Sequence, residues 1–129
     1  MFDPENLDVN SQMILEYLLK EKDLSVFCKD VNSRFFNCNN SFLRDCGVES
    51  LTQLIGKTDY DLSWTKEEAA SFRLADIEVI SNDIFKIGIV EEQTDSSMKK
   101  RWIETCKFPL KGEHGKVVGL IGFYTERFY

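Results

Sequence analysis

The stretch Val48-Glu49-Ser50-Leu51-Thr52-Gln53-Leu54-Ile55-Gly56-Lys57-Thr58-Asp59-Tyr60-Asp61-Leu62-Ser63-Trp64, with the run that follows it to Asp83, decides how the rest of the chain is read. Two helix starts lie within it. Ser50 is followed three residues on by Gln53, and Thr65 by Glu68, and each pair can exchange hydrogen bonds with free backbone N–H groups at a helix start. Gly56 breaks the chain between them. From Thr65 the helical period runs to about Ser81, with Ala70, Leu74 and Ile77 on one face and Phe72 and Val79 nearly opposite. A helix apolar on two sides is covered on both or offers one to a partner, so the stretch reads as the wall of a small cavity.

Upstream, Asp3-Pro4 can open a helix, as can Asp8 or Asn10, and the helix predicted there runs to about Lys22. Leu7, Ile14, Leu15, Leu18 and Leu19 form one stripe on it, suited to a sheet or to a second subunit. A hairpin is predicted next, Leu24 to Lys29 returning as Arg34 to Asn37. A short helix follows, capped by Asn39 and closed by Gly47 in the left-handed conformation. Downstream of Asp83 the period becomes alternating, giving strands over Ile84 to Thr94, Arg101 to Leu110 and Lys116 to Arg127. The last two are joined by a turn at Lys111-Gly112-Glu113-His114-Gly115. Two strands, several helices and three strands make an α+β class with one antiparallel sheet.

At 129 residues the chain fits one domain. Its 22 acidic against 16 basic residues give a formal charge of −6, which repels phosphate backbones and argues against direct nucleic-acid binding. The basic cluster Lys99-Lys100-Arg101 reads as a solvated turn. Cys28, Cys38, Cys46 and Cys106 have no C-x-x-C spacing and are expected as reduced thiols, three of them in apolar strands, without disulfide or metal. No apolar run reaches membrane-spanning length, and a cytoplasmic location is expected.

Four pieces, in this order, resemble the PAS domain family of sensory modules. They are Val26-Phe27-Cys28-Lys29-Asp30 with Asn40-Ser41-Phe42; Leu54-Ile55-Gly56-Lys57-Thr58-Asp59-Tyr60-Asp61-Leu62; Lys107-Phe108-Pro109-Leu110; and Gly115-Lys116-Val117-Val118-Gly119-Leu120-Ile121-Gly122. The resemblance covers about Leu24 to Thr125. It implies a five-stranded antiparallel sheet with helices on one face, enclosing a pocket that in some members holds haem, flavin or a small organic ligand. Residues 1–23 are then an N-terminal amphipathic flanking helix and 24–127 the PAS domain. Members commonly continue through an Asp-Ile-Thr motif into a linker and an output domain: a histidine kinase, a diguanylate cyclase or a DNA-binding domain. Here the last strand ends Tyr124-Thr125-Glu126-Arg127-Phe128-Tyr129, and the expectation is that an output domain has been cut away, the alternative being action through a separate partner.

Neither chromophore is expected. Haem-binding members supply a histidine from the long helix, whereas the one histidine, His114, lies in the last turn. Flavin-binding photoreceptor members carry Gly-x-Asn-Cys-Arg-Phe after the short helices, and Asn37-Cys38-Asn39 precedes them. No Ser/His/Asp or Cys/His arrangement suggests an enzyme.

Alternation puts Trp102, Glu104, Cys106 and Phe108 on one face of their strand and Ile103, Thr105, Lys107 and Pro109 on the other. In flavin-binding relatives the residue after this Trp, and the second residue after the final-strand Gly, point into the pocket. By that resemblance the inner set is Ile103, Thr105, Lys107 and Tyr124. Arg73, Leu74 and Ile77 of the long helix and Glu91 complete the candidate pocket. It would offer donors and positive charge to a small anion such as a carboxylate; the competing reading pairs Lys107 with Glu91 on the adjacent strand. Trp102, Cys106, Phe108, Ile121 and Phe123 would form an apolar outer face. Ile14, Leu15 and Leu18 would cover it, shared or exchanged in a homodimer. The function expected is that of a regulatory module of a bacterial signalling protein, for transcription or a histidine kinase, that binds a small molecule and relays its state. The alternative is a ligand-free interaction or dimerisation module whose cavity is filled by its own side chains.

Overall fold

The computed structural model describes residues 3–128. Five antiparallel strands, β1 (Ser25–Asp30), β2 (Phe35–Cys38), β3 (Lys86–Thr94), β4 (Lys100–Lys111) and β5 (Val117–Arg127), form one sheet in the order β2-β1-β5-β4-β3. The chain's two end strands in the helical crossover, β2 and β3, are thus the sheet edges, and the helices between them lie across its inner face. These are α2 (Asn40–Cys46), α3 (Leu51–Leu54) and α4 (Lys66–Asn82).

Capping side chains place each helix. Asn39 Oδ1 accepts from Phe42 N and Val26 N, so one amide both starts α2 and ties it to β1. Gly47 closes α2 at φ +74, and a Cβ there would meet Ser96 at 2.8 Å. Thr65 and Glu68 make the reciprocal cap expected of α4. Glu68 does more than cap. Its buried carboxylate also accepts from Thr94 N at 2.8 Å and Thr94 Oγ1 at 2.9 Å, fastening the start of α4 to the end of β3.

The inner face of α4 differs from the expected one. Leu74 and Ile77 are exposed, at 64% and 41%, and the buried stripe is Ala69, Phe72, Ala75, Asp76 and Val79. The aromatic layer decides this rotation. Phe72 meets Trp64 edge-on at 6.2 Å, Trp64 meets Phe42, and Phe42 meets Phe27, Phe35 and Tyr124. Such ring pairs contribute about 0.5–1.5 kcal/mol each beyond area burial, which Leu74 and Ile77 cannot match from the other side. Close approach at two glycines lets this layer form: a Cβ on Gly122 would lie 2.3 Å from the Phe27 ring, and one on Gly119 2.4 Å from the Lys29 carbonyl oxygen.

The other sheet face is covered by α1 (Val9–Leu19), capped by Asp8 and preceded by a 3₁₀ turn at Pro4–Asn6, so of the three predicted starts Asp8 is used. Lys111 N donates to Ser11 Oγ and Asp8 N to Lys111 O, pinning the helix to the β4–β5 hairpin. Leu15, Leu18 and Leu19 then pack with Leu7 over Val26, Cys28, Leu110 and Ile121, flanked by Phe108 and Phe123. Ile14 departs from the expectation: it sits at the exposed rim with Val9, Met13 and Tyr17. Trp102, at 44% exposure, also lies outside this cover.

Candidate functional site

Between the sheet and α4 the inward-facing strand residues meet the helix, and the polar ones among them are joined. Phe27 and Lys29 share the inner side of β1; Ile103, Thr105 and Lys107 that of β4; Tyr124 that of β5; Glu91 and Gln93 that of β3. With Phe42, Asp59, Trp64 and Phe72 they line one interior cavity. The part of it wide enough for the centre of a water molecule is about 20 Å³, room for about one water.

Four charges hold its base. Asp76, fully buried on α4, accepts from Lys29 Nζ on Oδ2 and from Lys107 Nζ on Oδ1, both at 2.8 Å. Lys29 Nζ also reaches Asp59 Oδ2 at 2.5 Å, and Lys107 Nζ donates to the Phe72 carbonyl at 3.2 Å. Ser33 Oγ donates to Asp76 Oδ2 and Trp64 Nε1 to Asp59 Oδ1, each at 2.9 Å. Two lysines and two aspartates therefore cancel. Lys29 gains further from the rings of Phe27 and Phe35, whose centroids lie 5.0 and 5.1 Å from Nζ.

Burial alone would raise the pKa of Asp76, but Lys29 and Lys107 pull it down to about 2. Burial alone would lower that of Lys29, and Asp59 with Asp76 reverse the sign and raise it. Glu91 behaves otherwise. Burial raises its pKa, and the charge of Lys107 offsets this only in part. No ion pair among the described residues reaches Glu91. It is close enough to Thr105 to feel the hydroxyl, but the geometry falls short of a hydrogen bond: Thr105 Oγ1 is the one fully buried side-chain polar atom of the described residues without a partner.

A second network closes the other end. Asp45 Oδ2 accepts from the Tyr124 hydroxyl at 2.8 Å, from Ser25 Oγ at 2.6 Å and from the Arg101 guanidinium at 3.0 Å. Burial, and then the Asp45 charge, push the Tyr124 phenol well above its ordinary range. Arg101 also binds Gln93 and Glu126, so it is half-buried, and the solvated basic turn expected there holds only for its neighbours Lys99 and Lys100.

Of the sequence-predicted pocket residues, the structure brings together Ile103, Thr105, Lys107, Tyr124 and Glu91. Leu74 and Ile77 face outward, as described above, and Arg73 donates to Ser33 Oγ from outside the cavity. The expected Lys107–Glu91 pair is replaced by Lys107–Asp76. The reason is register: Lys107 lies opposite Lys86 and Glu91 opposite Ile103, four residues along β4, with the irregularity at Gly88 (φ +72) between them. Lys29, Asp59 and Asp76 were missed by sequence reasoning. A signal existed for Asp76, which stands four residues after Phe72 and three before Val79 on their shared face, and for Lys29, which alternates with Phe27.

A family model described as the PAS fold matches residues 22–127. The chain belongs to this family. Its fold is similar to that of several solved structures. VqmA of Vibrio cholerae, solved as a dimer without its target DNA, superposes with a TM-score of 0.76 at 22% identity, over 91% of this chain and 51% of VqmA. A phage VqmA in complex with DPO gives 0.74 at 23% identity, over 92% of this chain and 54% of that one. The PAS domain of the quorum-sensing receptor RpfR from Cronobacter turicensis, in complex with BDSF, gives 0.66 at 14% identity, over 85% and 99%. The chain thus spans about half the length of the VqmA chains it matches. No curated protein matches it. In this PAS domain no helix among the described residues is long and apolar enough to cross a membrane.

The network gives a pH-dependent prediction. Because Asp76 binds its proton more weakly folded than unfolded, its contribution to stability is full above about pH 4 and is lost as pH falls toward 2. Glu91, with a raised folded pKa, contributes below its unfolded value and loses that contribution as pH rises through the folded one. Asp76→Asn should therefore lower stability at pH 7 by about 3–5 kcal/mol, since both lysines lose their shared anion, and should flatten the acid limb. Urea midpoints at pH 3, 5 and 7 check this. A loss below about 1 kcal/mol, the scale of an exposed pair, would contradict the bridging role.

Proposed function

We propose that this PAS domain is the sensory module of a bacterial signalling protein, taking a small neutral molecule into the cavity between sheet and α4 and passing its state to an output domain or partner. The observation that carries the reading is the pairing of Asp76 with both buried lysines. Lys29 and Lys107 have spent their charge on Asp59 and Asp76, so an anion entering the cavity would meet Glu91 without a free cation to balance it. A neutral ring suits the lining better. Phe27, Phe42, Trp64, Phe72 and Tyr124 supply aromatic faces, and the unpartnered Thr105 hydroxyl with Glu91 and Gln93 supplies orienting polar groups. The VqmA and RpfR structures support a ligand reading by fold likeness, being complexes with DPO and BDSF respectively. Neither haem nor flavin enters this reading, because His114 is exposed at the tip of the β4–β5 turn and Cys38 lies on β2.

One observation favours the alternative of a ligand-free interaction module. The free space is near that of one water, so a ligand must widen the cavity by shifting α4 or the edge strand β3. Such a shift is also the means of signalling the reading requires, with ligand contacts biasing how the sheet and α1 meet a second subunit. The outward residues of α1, Met13 and Tyr17, with Trp102 beyond them, are the surface proposed for that homodimer. Leu15 and Leu18 are engaged with their own sheet and serve the dimer only as support.

Two measurements test these points. In a ¹H–¹⁵N titration with phenol, benzoate and benzylammonium, phenol should shift the amides of Thr105 and Tyr124 with an affinity about tenfold or more above benzoate, or about 1.4 kcal/mol. Preference for benzoate would restore the anionic reading, and no binding of any of the three would favour the interaction module. Tyr17→Glu should halve the sedimenting mass if α1 forms the dimer surface; an unchanged dimer, or a wild type that is already monomeric, would refute that surface.

A further inference from the structure

The inner cavity and the surface groove between α4 and β3 have linings that share a single residue, Glu91. The groove is lined by Leu74, Ala75 and Ile89 together with charged residues such as Glu78, Lys86 and Glu92, and the cavity by Thr105 and Ile103. Every other acid at the base of the cavity is fastened: Asp59 by Lys29 and Trp64, Asp76 by two lysines and Ser33. Glu91 has no ion pair among the described residues. The strand carrying it is a sheet edge, bonded to β4 alone, and irregular at the bulge around Gly88. Glu68 fixes the far end of β3 to α4 through Thr94, and Lys86 pairs with Glu78 at the near end, so the seam between α4 and β3 is fastened at both ends and has no such contact between them, beside Glu91.

We propose that Glu91 is the shutter of the cavity, and that its ligand enters and leaves through the α4–β3 seam when this side chain swings into the groove. The proposal rests on the reading of the cavity as a ligand site. It adds the route, and it makes Glu91 the residue a ligand must pass and then face. Beside Glu91 the groove has an apolar strip of Leu74, Ala75 and Ile89 set among charged residues that include Glu78, Lys86 and Glu92, and a neutral molecule can follow that strip. It also gives a role to the exposed Leu74 that core formation leaves unexplained.

The route can be tested without any ligand, so that its failure and the failure of the ligand reading are separable. Thr105→Cys places a thiol in the cavity. Methyl methanethiosulfonate, small and uncharged, converts the attacking thiolate to a methyl disulfide and releases methanesulfinate, and peptide mass spectrometry follows the rate at each cysteine. Adding Glu91→Ala should speed labelling of the introduced thiol by roughly tenfold, and adding Ile89→Trp, on the groove side opposite Thr105, should slow it by a similar factor, as expected when access runs through a local opening. Cys28, buried under α1 on the opposite sheet face, should keep its rate in both. Equal rates at the introduced thiol in all three backgrounds would overturn the proposal, as would parallel changes at Cys28, which would mean opening of the whole fold. Should Thr105→Cys unfold the domain, Ile103→Cys supplies the thiol from the adjacent inward position, with the same expected and overturning results.

Discussion

A single carboxylate, that of Asp76, stands between two lysines in the interior of this domain, and the arrangement of α4 against the sheet depends on it. Burying Lys29 and Lys107 without an anion would cost several kcal/mol for each ion. Asp76 makes both possible by offering one oxygen to each, and the hydroxyl of Ser33 and the backbone oxygen of Phe72 satisfy further donors and acceptors around them. These contacts join β1, β4 and α4 across 47 and 31 residues of sequence. The aromatic layer and the ion network thus favour the same rotation of α4: Phe72 and Asp76 are one turn apart on it, and burying one brings in the other.

That constraint shapes what the cavity can accept. A site lined by two lysines reads as anion-binding by composition, yet its lysines are committed to aspartates and the remaining acid, Glu91, is the group that burial keeps toward its neutral form. Polarity inside the cavity consequently comes from uncharged or neutralised groups set among aromatic rings. The second network, from Tyr124 through Asp45 to Arg101 and Glu126, joins the cavity wall to the last residues of β5. A change in the Tyr124 ring position would be felt there, at the end of β5.

Much of the fold was legible in the sequence because its signals are local. Caps at Asn39, Ser50 and Thr65, the closing Gly47, and the alternation of β4 and β5 each rest on contacts within a few residues. The inward set Ile103, Thr105, Lys107 and Tyr124 needed the family resemblance to choose between two faces, since alternation alone makes them equivalent. What stayed hidden is non-local. Nothing near Leu74 tells whether its face or that of Phe72 meets the sheet, because both are apolar and the answer lies in rings contributed by β1, α2 and Trp64. Likewise the partner of Lys107 was sought across the strand at Glu91, but the register puts Lys86 there and the true partner comes from the helix.

Asp76 is a charged bridge at the base of the cavity, and Glu91 is a weakly held acid in its wall. Carbon-13 NMR of the two side-chain carboxyl groups, followed through a pH titration of the folded domain, tests it most directly. Asp76 should remain ionised down to about pH 2, and Glu91 should take up its proton above the ordinary range for a glutamate. A reversed order, with Glu91 ionised at the pH where Asp76 is already protonated, would contradict the account.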